Sequence, residues 1–137
     1  MKILKVDKLE NYFEVVPENL DDFWHLERLI ETNDIVYGTT TRKIKAAKEG
    51  EETRREKLYL ELQVESIEFH RYSGKLRING VILSGKPEEL IELRAHHSLE
   101  IEFNEKLKVK KQKLKDYQIE RLEKAKKASV SEQLLLV

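Results

Sequence analysis

Apolar positions recur with a period of two along most of this chain and with a helical period in only two stretches, so the pattern predicts a mainly β domain with little helix. The opening Met1–Val6 and then Tyr12–Pro17 read as short strands joined by the polar turn Asp7–Asn11. Between Pro17 and Ile30 the spacing changes: Leu20, Phe23, Leu26 and Ile30 fall on one helical face, with Trp24, the single tryptophan, beside them. Asn19 is placed to cap this helix, Glu18, Asp21 and Asp22 suit its first turn, and Asn33 suits a left-handed residue closing its far end. Asp34–Thr41 is β-branched and aromatic, hence a strand. A lone aromatic helix among strands belongs across the mouth or face of a sheet.

From Leu58 the alternation Leu58, Leu60, Leu62, Val64 marks a half-buried strand, and at Ser66 the phase flips so that Ile67 and Phe69 continue in the opposite register. A flip of this kind requires a bulge or a sharp bend. Tyr72–Lys75 is the hairpin turn, Leu76 and Ile78 resume the alternation, and Gly80 is read as a second bulge before Val81–Leu83. After a break at Gly85-Lys86-Pro87, one strand carries Leu99, Ile101 and Phe103, and a short one carries Leu107 and Val109. Five or more bent antiparallel strands with one capping helix suggest a small closed barrel. From Lys111 the period becomes helical again, with Leu114, Tyr117, Leu122 and Ala125 on one face among lysines read as solvated. The ending LLLV reads as the first buried strand of a unit that continues, so the chain is expected to be part of a longer protein.

The 16-residue run Arg42–Lys57 has no apolar face, carries Gly50 near its middle, and reads as a long solvated loop. Whole-chain charge is no guide, because 26 basic and 26 acidic residues cancel. Their distribution is informative. Residues 1–37 hold four basic and nine acidic groups, 39–57 seven and four, and 104–128 ten and four. Arg42, Lys43, Lys45, Lys48, Arg54, Arg55 and Lys57 would form two basic arms about a loop tip, a chemistry suited to the phosphates of RNA. An ordinary charged loop fits the composition equally, and four glutamates in the run oppose indiscriminate polyanion binding.

Catalytic chemistry is thinly represented. The chain has no cysteine, which excludes disulfides and thiolate metal sites and suits a reducing compartment. It lacks a Gly-rich phosphate loop and a nucleophile elbow. His96 and His97 are adjacent and on a strand would point to opposite faces; Glu68 and His70 share a strand face without a known ligand spacing. His25 in the aromatic helix is read as a satisfied or surface side chain. No apolar run is long enough to span a bilayer, and a cytoplasmic location is expected.

Several segments together resemble the Pelota/Dom34 family. Pro17-Glu18 followed by Asp22-Phe23-Trp24-His25-Leu26 and Leu29-Ile30 resembles its "PE…D-hydrophobic-WHLYNLI" segment, and Asp34 with Thr41-Arg42-Lys43 its "GD…TxRKV". Leu62–Phe69 is similar to "LxVExIEF", Leu76–Gly80 to "LRIxG", and His97-Ser98 stands where "HT" is usual. Glu120–Ala125 is similar to the family's linker helix. The departures are Arg94 where glycine is usual, no tryptophan near Leu114, and Asn33-Asp34 in place of "GD".

The resemblance implies an archaeal-type N-terminal domain of α+β class: an Sm-like small bent β-barrel over residues 1–110 with one capping helix. A C-terminal linker helix over 111–128 and the start of a central domain over 129–137 would follow. It implies a ribosome-rescue and mRNA-surveillance (no-go decay) factor that enters the A site of stalled ribosomes and reaches rRNA and the mRNA channel. Arg42 and Lys43 fall inside the matching motif, whereas the other loop cations are assigned by charge and position. A translational GTPase of the elongation factor 1A type and an ABC-type recycling ATPase are the implied partners, acting through domains beyond this one. A monomer without membrane contact and without a cofactor is expected. The family is also credited with a divalent-metal-dependent endoribonuclease activity; Glu65, Glu68 and His70 would be its candidates here, and it stands as the alternative. A third reading, an Sm-like ring around single-stranded RNA, would require a ring-sized oligomer.

Overall fold

The computed structural model describes the backbone of residues 1–44 and 54–135, and side chains within 1–41 and 55–126. Seven strands and two α-helices follow in the order β1 (Lys2–Asp7), β2 (Tyr12–Val16), α1 (Leu20–Leu29), β3 (Ile35–Ile44), β4 (Arg54–His70), β5 (Lys75–Lys86), β6 (His96–Ile101), β7 (Leu107–Lys110) and α2 (Asp116–Leu135). A single turn of 3-10 helix, Glu88–Leu90, follows β5. All pairings are antiparallel, in the spatial order β1-β2-β7-β3-β4-β5-β6. The sheet bends back on itself far enough that β3 meets β6: a Cβ added to Gly38 would lie 3.1 Å from Leu99 Cδ2. The result is the bent, mainly β, α+β barrel with a helical cap that the pattern of the chain anticipates.

The bend has a local cause in β4. Leu58, Leu60, Leu62 and Val64 are buried, the register with β5 shifts between Val64 and Ser66, and Ile67 and Phe69 then take over the inward phase. The extra residue is Glu65 on β4, and Gly80 is the close-approach position facing it, not the site of a bulge of its own. The second irregularity lies at Leu83, between the pairs Glu61–Ser84 and Leu62–Ile82. β5 also continues through Gly85 and Lys86, where a break is expected from sequence.

Helix α1 begins with a reciprocal cap: Asn19 Oδ1 accepts from the Asp22 N–H at 3.0 Å, and Asp22 Oδ2 accepts from the Asn19 N–H at 3.3 Å and the Glu18 N–H at 2.8 Å. Asp22 is buried, and the Met1 ammonium lies 3.0 Å from its carboxylate. Phe23, Leu26, Leu29 and Ile30 seal the sheet, Phe23 stacking on Phe103 at 4.5 Å and meeting Phe69 edge-on at 6.4 Å. Leu20, placed on this face by its spacing, is 43% exposed. Trp24 is half-buried, with the Arg28 guanidinium 3.6 Å from its ring centre and that of Arg121 on α2 5.6 Å away. Phe103 lies just beyond β6, not within it.

Helix α2 starts at Asp116 and its backbone stays helical to Leu135, where the sequence suggests a new strand. Leu122 and Ala125, with the preceding Leu114, are buried; Tyr117 is 58% exposed and Gln118 takes the inward position in its place. Gln118 can be buried because its amide is used at both ends, accepting from the Lys115 N–H at 2.9 Å and donating to Glu31 Oε1 at 2.8 Å. Beside it Lys111 is buried, contrary to the solvated role assigned to these lysines. Its ammonium donates to the Leu29 carbonyl at 2.6 Å and to the Asp34 carboxylate, and lies 3.2 Å from Glu31 Oε1. Burial raises the Asp34 carboxyl above its ordinary value, an effect opposed by hydrogen bonds from Lys111 and the Glu31 N–H. This cluster ties the end of α1, the start of β3, the end of β7 and the first turn of α2 together.

Two departures from the family pattern fall on left-handed backbone: Asn33 has φ 75° and Arg94 φ 66°. Asn33 does not close α1, whose C-cap is Ile30; it turns the chain so that its N–H reaches the Val64 carbonyl at 2.8 Å. Asparagine tolerates this conformation, whereas arginine gains nothing from it. Replacing Arg94 with glycine is therefore expected to stabilise the fold by about 0.5–1 kcal/mol. Urea unfolding checks it: the midpoint should rise with an unchanged slope, and an unchanged or lower midpoint would refute the strain.

Candidate nucleic-acid interface

Strands β3 and β4 pair over ten rungs, from Ile35–Gln63 to Ile44–Arg54. Among the described side chains, the last buried one along this ladder is Leu58, opposite Thr40, and four rungs follow it: Thr41–Lys57, Arg42–Glu56, Lys43–Arg55 and Ile44–Arg54. At about 3.4 Å per residue they form a two-stranded arm on the order of 13 Å long. The loop inferred over Arg42–Lys57 is thus strand at both ends. Hydrophobic alternation was the missing sign, because backbone hydrogen bonds hold a ladder whether or not its side chains are apolar.

Of the seven cations inferred as RNA contacts, Arg42 and Lys43 are on the β3 side of this arm and Arg54, Arg55 and Lys57 on the β4 side. Arg55, Lys57 and Thr41 are exposed. Lys45 and Lys48 lie outside the described residues. The register sets Arg42 opposite Glu56 and Lys43 opposite Arg55. At the base of the arm, a groove of about 330 Å³ is lined by Thr39, Thr40, Thr41, Arg55 and Lys57 on one side and by Glu100, Glu102 and Glu105 on the other. The base is therefore of mixed charge.

The outer face of the sheet carries a second array that a search for charge runs overlooks. The register aligns Lys5, Glu14, Lys108, Tyr37, Glu61 and Ser84 across six strands. Lys108 Nζ lies 4.4 Å from the Tyr12 ring centre and 5.0 Å from that of Tyr37. Glu61 accepts from Tyr37 Oη at 3.2 Å and from Ser84 Oγ at 2.7 Å, while Glu14 pairs with Lys106 at 3.3 Å. Burial first, and the Glu61 carboxylate second, push the Tyr37 phenol above its usual range. The signal was present as lysines 106, 108 and 110 alternating with buried Leu107 and Val109.

The residues considered for metal-dependent cleavage form separate pairs: Glu68 with His70 at 3.4 Å, and Glu65 with His96 at 2.8 Å. Among the described residues, no group of three His, Asp or Glu is arranged to hold a metal ion. His25 faces α2, where burial and Arg121 lower its pKa. No helix among the described residues is long and apolar enough to cross a membrane.

Comparison with known proteins agrees across the chain. A family model described as the Pelota N-terminal domain matches residues 1–126. The protein pelota homolog of Methanobrevibacter smithii is 42% identical over 134 residues, covering 94% of this chain and 37% of that protein. That of Pyrococcus furiosus is 34% identical over 142 residues, covering 100% and 39%. A structure of ribosome-bound archaeal Pelota with ABCE1 matches with a TM-score of 0.72 at 34% identity, covering 91% of this chain and 36% of that one. Crystalline Archaeoglobus fulgidus Pelota gives 0.68 at 31%, covering 94% and 34%. The chain spans little more than a third of the length of these curated relatives.

Proposed function

Since this chain belongs to the Pelota family, as its N-terminal domain, we propose that it is the part of a cytoplasmic ribosome-rescue factor that enters the A site of stalled ribosomes and contacts RNA through the β3–β4 arm. The observation that carries this reading is the arm itself: a ladder extended four rungs past the core, with Arg42, Lys43, Arg54, Arg55 and Lys57 along it. A body holding out a cationic pair of strands recognises an RNA-walled channel by shape and charge, and no base-reading side chain is needed. The ribosome-bound relative with ABCE1, at 34% identity, supports a role on the ribosome beside an ABC-type ATPase. Delivery by a translational GTPase and a role in no-go decay follow from the same reading of the family.

The test is binding to ribosomes stalled on truncated mRNA, measured by cosedimentation between 50 and 200 mM salt. Changing Arg42, Lys43, Arg54 and Arg55 together to alanine is expected to weaken binding more than about tenfold at low salt. It should also reduce the slope of log K against log salt by about 3, near 0.7 per lost phosphate contact. Wild-type affinity and slope in that variant would reject the arm as the RNA contact.

A further inference from the structure

The arm is the end of a longer surface. From the rung containing Lys108 and Tyr37, the outer face of the sheet continues through Thr39–Tyr59–Lys86 and Thr41–Lys57 to Arg55. Successive outer residues are two positions, about 6.8 Å, apart along each strand. Lys57 and Lys86 are exposed, and Tyr59 is 45% exposed between them, an unusually open position for an aromatic ring in mid-strand. Two carboxylates on this face are engaged internally, Glu61 with Tyr37 and Ser84, and Glu14 with Lys106. Glu100, Glu102 and Glu105 share a groove with Arg55 and Lys57, so this border of the face is of mixed charge.

Resting on the RNA-binding reading above, we propose that this outer face is a track for single-stranded RNA, with Tyr59 as the platform on which a base stacks and Lys57, Lys86 and Lys108 as phosphate contacts leading onto the arm. Single-strand binders combine these two elements: a cationic path for the backbone and an open aromatic ring, tolerant of sequence, for the bases. Lys108 is held over two tyrosine rings, so its charge is fixed in place before RNA arrives. A protein-docking face would need an open apolar patch, whereas Tyr59 is flanked here by threonine and lysines.

Fluorescence anisotropy of a labelled 12-nucleotide oligouridylate with the full 137-residue chain tests this. Tyr59→Ala is expected to weaken binding about tenfold with little change of salt slope, and Tyr59→Phe to bind as wild type, since stacking needs the ring. Lys57, Lys86 and Lys108 changed together to glutamine should reduce the slope by about 2. Trp24 fluorescence verifies that each variant is folded. Oligonucleotide binding indifferent to Tyr59→Ala and to the triple change would overturn the track. So would a Tyr59→Ala variant that loses ribosomes yet keeps the oligonucleotide, which marks a protein contact. The arm variant on ribosomes reads the parent proposal separately: wild-type ribosome binding by that variant, with the Tyr59 effect intact, would reject A-site entry through the arm and leave the track standing.

Discussion

Replacing Lys111 with methionine is expected to lower folding stability by about 3–5 kcal/mol, the range for removing one partner of a buried ion pair. The side chain is of similar length, so the loss is one of charge and hydrogen bonds. Asp34, 6% exposed, would keep its bond from the Glu31 N–H but lose the ammonium, and the Leu29 carbonyl would lose a donor inside the fold. The pH dependence gives the diagnosis. Without Lys111 the folded-state pKa of Asp34 rises further above its unfolded value, so the native state binds a proton that the unfolded chain does not. Stability of the variant should then be greatest below the ordinary carboxylate pKa and fall as pH rises through the raised one. Adding Asp34→Asn should restore much of the loss at neutral pH, because the amide needs no counter-charge. Urea unfolding followed by Trp24, which lies between Arg28 of α1 and Arg121 of α2, reads both global stability and the docking of α2. A cost below 1 kcal/mol, or a loss insensitive to pH, would show that the cluster is not a critical pair.

The burial of Lys111 was legible in principle. It follows Leu107 and Val109 at the same two-residue phase, and Gln118 sits between Leu114 and Leu122 at helical spacing. What the sequence hides is the partner: Asp34 is 77 residues away, and only the fold brings it within reach. The same reasoning separates successes from failures elsewhere. The helix cap at Asn19 and the phase flip at Ser66 are local consequences of residue type and period, and both are present. The arm reads as loop from sequence because charged residues leave no burial pattern, while its hydrogen bonds depend on a backbone partner in the neighbouring strand. The outer-face array is hidden in the sequence because its lysines and tyrosines come from separate strands and join only through register.

Gly80→Ala is expected to be as damaging as Lys111→Met, for a steric reason that can be ranked. An added Cβ would lie 2.1 Å from the Gln63 carbonyl oxygen and 2.9 Å from its carbon, both backbone atoms of the paired strand. No side-chain rotation relieves that overlap; β4 or β5 must move by more than 1 Å, and the ladder holding the Glu65 bulge must yield. The cost should reach about 3 kcal/mol, the upper end of ordinary overpacking. Gly85→Ala should cost less, since a Cβ there meets the Tyr59 carbonyl at 2.8 Å and the movable end of Ile91 at 2.9 Å. Gly38→Ala should cost least, because only Leu99 Cδ2 at 3.1 Å must give way. The order 80, then 85, then 38 is the prediction, read from three urea midpoints. The bulge also fixes which face of β4 looks outward on each side of it, and a slip of one residue would exchange Leu58, Leu60 and Leu62 with Lys57, Tyr59 and Glu61. Gly80→Ala should therefore weaken oligouridylate binding as well as the fold, although Gly80 lies on neither the arm nor the track. A Gly80→Ala protein as stable as wild type, or Gly38→Ala as the worst of the three, would mean that the bend in β4 is set elsewhere.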